Sequence, residues 1–281
     1  MKNIQFIGVG APMSGSTTLA KSLFSHPDIL SPLCQDHKEI NFFTHRCDFF
    51  KKGPAWYDTQ FQECQPGQIT GEFSPIYFTD PESPRLISEF SPDVKLIAIL
   101  RNPVKRSFSA YQSLKRGGNI DVDLTFRQAI SKHEVLINCS RYQIHMKRYL
   151  RRFSRENIHL VILEELIENP AKVLNQALDF LGMSSPFQDD FVLAKANAGW
   201  TPKNRHMHNL SMGLRKTGRL LIPEALYRSQ VAYRIKMLLL SLNKAPKEEV
   251  DSNFFNELEE EFREDNQELA NMFNEGALYW T

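Results

Sequence analysis

Ten residues near the N-terminus do most to limit the folds open to this chain: Val9-Gly10-Ala11-Pro12-Met13-Ser14-Gly15-Ser16-Thr17-Thr18. The apolar run Ile4-Gln5-Phe6-Ile7-Gly8-Val9 leads in. Leu19, Ala20, Leu23 and Phe24 recur at helical spacing on the way out,. Strand, glycine-bearing loop and helix start form an arrangement that binds phosphate. Glycine lets the backbone come close, and the N–H groups of the first helical turn aim at the anion. Ser14, Ser16, Thr17 and Thr18 add hydroxyl donors, yet no Lys or Arg stands between Gly10 and Thr18. The spacing is that of a nucleotide-binding P-loop with Ser16 in the place of its lysine,.

The remaining chain supplies strands and helices to match. Val94–Leu100 is almost wholly apolar, as central parallel strands are, and ends in Arg101-Asn102-Pro103,. Pro103 opens a helix. Tyr142, Met146, Tyr149, Leu150 and Phe153 share one face of another helix, which leads to a strand over Ile158–Leu163,. Asn169-Pro170 is a cap and first-turn pair for a helix carrying Val173, Leu174, Ala177, Leu178 and Leu181 and stopping at Gly182,. His26 is expected to cap the first helix, and Trp56, Tyr57 and Phe61 to lie on one helix against the core,. Asp251-Ser252 is expected to cap one final helix with Leu258, Phe262, Leu269 and Phe273 inward and Glu259-Glu260-Glu261 in solvent,. The alternation predicts an α/β fold: a P-loop-like doubly wound parallel β-sheet flanked by helices, with a helical C-terminal part, in one domain over residues 1–281,. Ligands of such sheets gather at the carboxyl ends of the strands, where the 10–18 loop and Arg101 both fall.

A formal net charge of +1 gives no reason to expect a nucleic-acid partner,. Cys34, Cys47, Cys64 and Cys139 lack Cys-x-x-Cys spacing, so reduced thiols and no metal site are expected,. The longest apolar run, Met237-Leu238-Leu239-Leu240, is too short for a membrane span,. With no signal-peptide pattern ahead of the first strand, the expectation is a cytoplasmic protein.

Arg101-Asn102-Pro103-Val104-Lys105-Arg106-Ser107-Phe108-Ser109 is the second informative stretch. An Arg just past a buried strand and a Ser two turns into the next helix can converge on one phosphate, the Arg as a charged fork and the Ser as a hydroxyl donor. Together the two stretches resemble the sulfotransferase family that uses 3′-phosphoadenosine 5′-phosphosulfate (PAPS). Pro12–Thr17 is similar to its 5′-phosphosulfate motif, and Arg101–Ser109 carries its Arg-x-Pro-x-x-Arg-x-x-Ser motif for the 3′-phosphate in full. Lys38-Glu39-Ile40-Asn41-Phe42-Phe43, Gly71-Glu72-Phe73-Ser74-Pro75-Ile76-Tyr77, Ser140-Arg141-Tyr142, Phe180-Leu181-Gly182 and Trp280 resemble segments of its heparan-sulfate-type and bacterial branch.

The resemblance implies in-line transfer of a sulfuryl group to a hydroxyl or amine of a carbohydrate, lipid or small-molecule acceptor. Adenosine 3′,5′-bisphosphate (PAP) is the implied product, and no metal takes part. Met13, Ser14, Gly15, Ser16, Thr17 and Thr18 would hold the phosphosulfate, and Arg101 and Ser109 the 3′-phosphate. Lys203 and Arg205 would cover the nucleotide, and Arg106 would be a structural partner. Glu39 is the implied base for the acceptor proton, with Glu72 in a hydrogen-bonding role. Phe43, Trp56, Tyr57, Trp200 and Tyr227 fall on the acceptor side and are read as core rather than as stacking platforms,. Two positions depart from the family. Asn41 stands where some relatives carry His. Met13 stands where the family carries Lys or Arg, beside the oxygen on which charge develops. Lys38 or Lys105 could replace that cation; alternatively the chain is a catalytically weak PAPS/PAP-binding pseudo-enzyme. A P-loop kinase-like phosphotransferase is a further alternative, opposed by Ser16 and by the complete second motif.

Overall fold

The computed structural model describes residues 4–33, 39–62, 64–193, 203–204, 248–273, 278 and 280. Five parallel strands form its sheet: β1 (Phe6–Gly10), β2 (Ile29–Leu30), β3 (Ile69–Phe73), β4 (Lys95–Leu100) and β5 (Ile158–Ile162), in the order β2-β3-β1-β4-β5. The helices are α1 (Ser16–Leu23), α2 (Pro54–Thr59), α3 (Ser83–Phe90), α4 (Pro103–Gly117), α5 (Phe126–Lys132), α6 (Val135–Asn138), α7 (Tyr142–Leu150), α8 (Leu163–Glu168), α9 (Pro170–Leu181), α10 (Ser252–Glu261) and α11 (Arg263–Met272).

Side chains alternate across the sheet with the period of two that a pleated strand imposes. Ile7 and Val9 of β1, Leu96, Ala98 and Leu100 of β4, and Ile158 and Ile162 of β5 enter one core with α3, α7 and α11. Phe6, Ile97, Ile99 and Val161 enter the other, against α1, α8 and α9. Both faces are covered, which is why these strands look apolar at nearly every position. A buried side chain of this size contributes about 1.5–3 kcal/mol relative to exposure, so the two cores are what hold the rim above them in place.

The chain divides into two compact units. The first comprises residues 1–106, 139–196 and 260–281 and contains the sheet; the second comprises 107–138 and 197–259. Within the second, Phe108, Tyr111, Phe126 and Phe254 form an aromatic cluster, with Phe126 and Phe254 rings 5.7 Å apart. Tyr111 Oη donates to Glu248 Oε1 at 2.9 Å.

Several local expectations change. His26 does not cap α1 with its ring. Its Nδ1 accepts the Asp28 N–H at 3.2 Å, so Nε2 carries the proton and donates to the Ser185 carbonyl at 2.7 Å. Asn169 precedes α9 without a side-chain cap, while Gly182 closes that helix in the left-handed conformation. Strand β5 runs directly into α8, a helix not foreseen. Trp56 and Tyr57 share the six-residue α2, and Phe61 lies beyond its end. The expected final helix is two helices, α10 and α11, meeting at Phe262. Its start is as expected: Asp251 Oδ1 accepts the Phe254 N–H at 3.0 Å,.

Candidate active site

The connection out of β1 leads to the β2–β3 side of the sheet, and the one out of β4 leads to β5. A doubly wound sheet opens its ligand crevice where the connections part in this way. The 10–18 loop and Arg101 are the two lips of that crevice.

The loop is pinned from several directions. The Ala11 N–H donates to the Ile99 carbonyl at 2.7 Å, fastening its start to β4. Gly10 adopts φ +131°, and a Cβ there would lie 2.8 Å from the Pro75 carbonyl oxygen. Gly15 turns the chain into α1 at φ +88°, and a Cβ would lie 2.5 Å from Leu163 Cδ1. Neither position tolerates a side chain without strain. Met13 also lies in the left-handed region, at φ +66°. The Thr18 and Leu19 N–H groups fold back on the Gly15 carbonyl at 2.9 and 3.1 Å. Helix geometry aims the remaining amides of the first turn of α1 outward.

Two arginines from the second motif reach the loop. Arg106 is only 4% exposed and donates from Nε to the Pro12 carbonyl at 3.0 Å. Arg101 donates from Nη1 to the Met13 carbonyl at 3.4 Å. The loop has no cation in its own sequence but carries a guanidinium on each of two successive carbonyls. Burial pulls the Arg101 pKa below its ordinary value, and the Glu164 charge works against that. Glu164 Oε1 also accepts the Asn102 N–H at 3.1 Å, and Tyr142 donates to the Arg101 carbonyl at 2.8 Å. Burial pushes the Tyr142 hydroxyl up to about 12; the Arg106 charge and the adjacent Ser14 hydroxyl oppose the rise.

Ser14 tests whether these residues fit an anionic donor. Its residue is 0% exposed, and its hydroxyl makes no hydrogen bond of good geometry among the described residues. An orphaned hydroxyl at the head of α1, beside a buried guanidinium, suits a phosphate or sulfate oxygen. Glu164 Oε2 and Asn41 Oδ1 are likewise buried without a hydrogen bond among the described residues.

The Glu39 segment sits at the carboxyl end of β3, next to β1. The Ser74 N–H donates to the Gly8 carbonyl at 2.9 Å, and Ser74 Oγ accepts the Asn41 N–H at 2.9 Å. Glu39 is half-buried. Its charge bears on Cys47, whose thiol is raised first by burial and then by Asp48, Glu39 and Asp80. Asn41 adopts φ +52°. Phe43 and Tyr57 are core, with rings 5.0 Å apart. Trp56 is half-buried and stacks on exposed Phe49 at 5.2 Å.

Beneath this segment Glu72 is 0% exposed, and its pKa is raised from 4.5 to about 7 by burial, against the pull of its hydrogen bonds. It bears the hydrogen-bonding role expected of it.

Other expected residues are more scattered. Ser16 and Thr18 are buried and Thr17 half-buried, all in α1. Ser109 is half-buried on α4, in the second unit. Lys203 is exposed, also in the second unit. Lys105 is exposed on α4. Lys38, Trp200, Arg205 and Tyr227 lie outside the described residues. Glu164 and Tyr142 were not foreseen as parts of the rim. Glu164 follows a buried parallel strand directly, and that position is the one sequence signal that could have found it.

A family model described as Sulfotransferase domain matches residues 4–216. Human heparan sulfate glucosamine 3-O-sulfotransferase 6 is 32% identical over 202 residues, covering 70% of this chain and 57% of that protein. Human heparan sulfate glucosamine 3-O-sulfotransferase 3B1 is 34% identical over 192 residues, covering 66% and 47%. The chain thus spans about half the length of the curated relatives it matches. The crystal structure of a sulfotransferase from Alicyclobacillus acidocaldarius superposes with a TM-score of 0.58 at 28% identity, covering 83% of this chain and 100% of that one.

Proposed function

The chain belongs to the sulfotransferase domain family, and from that premise we propose that it moves a sulfuryl group from PAPS to a carbohydrate hydroxyl. The observation that carries the reading is the loop itself. Its carbonyls at Pro12 and Met13 are held by Arg106 and Arg101, and the buried Ser14 hydroxyl makes no hydrogen bond of good geometry among the described residues.

Ser14, Ser16, Thr17, Thr18 and the first-turn amides of α1 would hold the 5′-phosphosulfate. Arg101 would hold the 3′-phosphate from this rim; the sequence motif adds Ser109, and resemblance alone adds Lys203 and Arg205. In the transfer, the S–O bond to the 5′-phosphate breaks and a new S–O bond to the acceptor oxygen forms. The acceptor proton passes to the Glu39 carboxylate, and PAP leaves. Charge growing on the leaving phosphate meets hydroxyls and the α1 N-terminus, to which the Met13 side chain adds none. A carbohydrate acceptor is supported by the names of the relatives and by exposed His45, Arg46, Phe49, Lys51 and Lys52 following the Glu39 segment. Cations beside an aromatic surface suit a sugar bearing acidic groups.

The test uses PAPS labelled in its sulfuryl group and three acceptors: an N-sulfated glucosamine oligosaccharide, vesicles of a hydroxyl-bearing glycolipid, and a small alcohol. Label in the oligosaccharide with equimolar PAP is the expected result. Label confined to another acceptor overturns the carbohydrate assignment. No PAP release with any acceptor overturns the transferase reading.

A further inference from the structure

One buried carboxylate controls the strip of backbone that carries Glu39. Glu72 Oε1 accepts from Tyr57 Oη and from Tyr77 Oη, each at 3.0 Å, and Oε2 accepts from Ser74 Oγ at 2.5 Å. The Ile40 N–H is a further donor to the same carboxylate. The hydroxyls are relays. Ser74 Oγ accepts the Asn41 N–H at 2.9 Å, and Tyr77 Oη accepts the Phe43 N–H at 3.2 Å. Three amides within four residues, those of Ile40, Asn41 and Phe43, therefore end on Glu72 directly or through one hydroxyl.

The geometry points to Glu72 as the positioning residue for Glu39: its carboxylate orients Ser74 and Tyr77 as acceptors and thereby fixes the backbone from Ile40 to Phe43. The inference rests on Glu39 being the base of the transfer proposed above. A hydroxyl that donates to Glu72 must present its lone pairs elsewhere, and in Ser74 and Tyr77 an amide of the strip meets them. Four donors converge on two oxygens, and the ionised carboxylate, the form above about pH 7, accepts from all of them, whereas an amide would turn hydrogens of its own toward donors,. The described neighbours that face Glu72 are Tyr57 of α2, Tyr77 and Ser74 after β3, and the Ile40 amide; none of these is a cation. The other side of the strip is tied separately. Ser83 Oγ donates to the Phe43 carbonyl at 2.6 Å, and Thr44 Oγ1 donates to Asp80. The Asn41 φ of +52° lies inside this clamp, one residue beyond the Ile40 amide.

Glu72→Gln keeps the shape and removes the charge. Hydrogen exchange in the full chain would be followed in two peptides, 39–46 and 8–20, alongside PAP titration and transfer kinetics. The expected result is exchange about tenfold faster in 39–46 with 8–20 unchanged. PAP affinity and the donor KM stay as in the wild type, while kcat falls by about a hundredfold, as misplacing a catalytic group does. Wild-type protection of 39–46 in Glu72→Gln overturns the inference, as does a changed donor KM with kcat preserved. Should that variant fail to fold, Ser74→Ala and Ser74→Thr decide. Alanine strands the Asn41 amide and speeds exchange, and threonine keeps the hydroxyl and restores it. Equal exchange in the two overturns the inference. Failure of the wild type to release PAP would remove the transferase reading, and the exchange data alone would then decide whether Glu72 fixes the strip.

Discussion

A series of three glycine-to-alanine variants separates backbone strain from the close approaches that build the donor loop. Gly67 is exposed with φ +89° and has nothing within 4 Å of an added Cβ, so Gly67→Ala carries only the left-handed penalty of about 1 kcal/mol,. Gly15→Ala adds a contact of 2.5 Å to Leu163 Cδ1, the far end of a side chain that can turn away. An off-rotamer leucine brings the total to about 2 kcal/mol. Gly10→Ala meets Phe78 Cβ at 2.7 Å and the Pro75 carbonyl oxygen at 2.8 Å. No torsion moves either atom, so β1 and the Pro75 turn must part, at about 3 kcal/mol or more. Urea denaturation gives the three stabilities, and PAP titration gives the donor affinities. The expected order of destabilisation is Gly10, Gly15, Gly67, with PAP affinity weakened in the first two and kept in the third. A Gly10→Ala protein no less stable than Gly67→Ala refutes the close approach of the loop to Pro75.

Three further outcomes are expected. Met13→Lys places a cation where charge develops and should raise kcat by about a hundredfold; unchanged turnover would show that residue 13 does not meet the transferring group. Arg106→Met leaves the half-buried Pro12 carbonyl without its guanidinium donor and should cost about 1–2 kcal/mol in denaturation while weakening PAP binding,; wild-type values in both would remove Arg106 from the loop. Glu72 holds its proton up to about pH 7 in the folded chain against 4.5 unfolded, so the folded state binds the extra proton between those values,. Its contribution is fully present below about pH 4.5 and is lost as pH rises through 7, on the order of 3 kcal/mol in all. Denaturation at pH 5 and pH 8 should show a fall in wild-type stability that Glu72→Gln lacks; an equal fall in both would place the titration elsewhere.

What the sequence made legible follows from what is local. Strands β1, β4 and β5 stood out because burial on both faces leaves continuous apolar runs, and the loop stood out because its glycines and hydroxyls are contiguous. Strand β2, two residues long, has no period to detect. The break between α10 and α11 carries no Gly or Pro, and the apolar positions run on across Phe262, so periodicity merges the two. His26 looked like a cap because it follows a helix, but the Ser185 carbonyl, far along the chain, holds its ring. The site divides in the same way. The motif stretches name the loop and Arg101, but no spacing shows that Arg106 reaches Pro12 or that Glu164 holds Asn102. Those partners are set by which strands lie side by side, and only the order β2-β3-β1-β4-β5 places them together.

Calorimetric titration of PAP into the wild-type chain and into Arg101→Ala tests the donor site most directly. One PAP per chain with a Kd of about 1 μM or tighter is the expected result. Arg101→Ala should then bind about ten- to a hundredfold more weakly, the loss of a charge-assisted contact. No binding heat with the wild type at about 1 mM PAP, well above that Kd, or equal affinity in the two proteins, would contradict a PAPS site built on the 10–18 loop and Arg101.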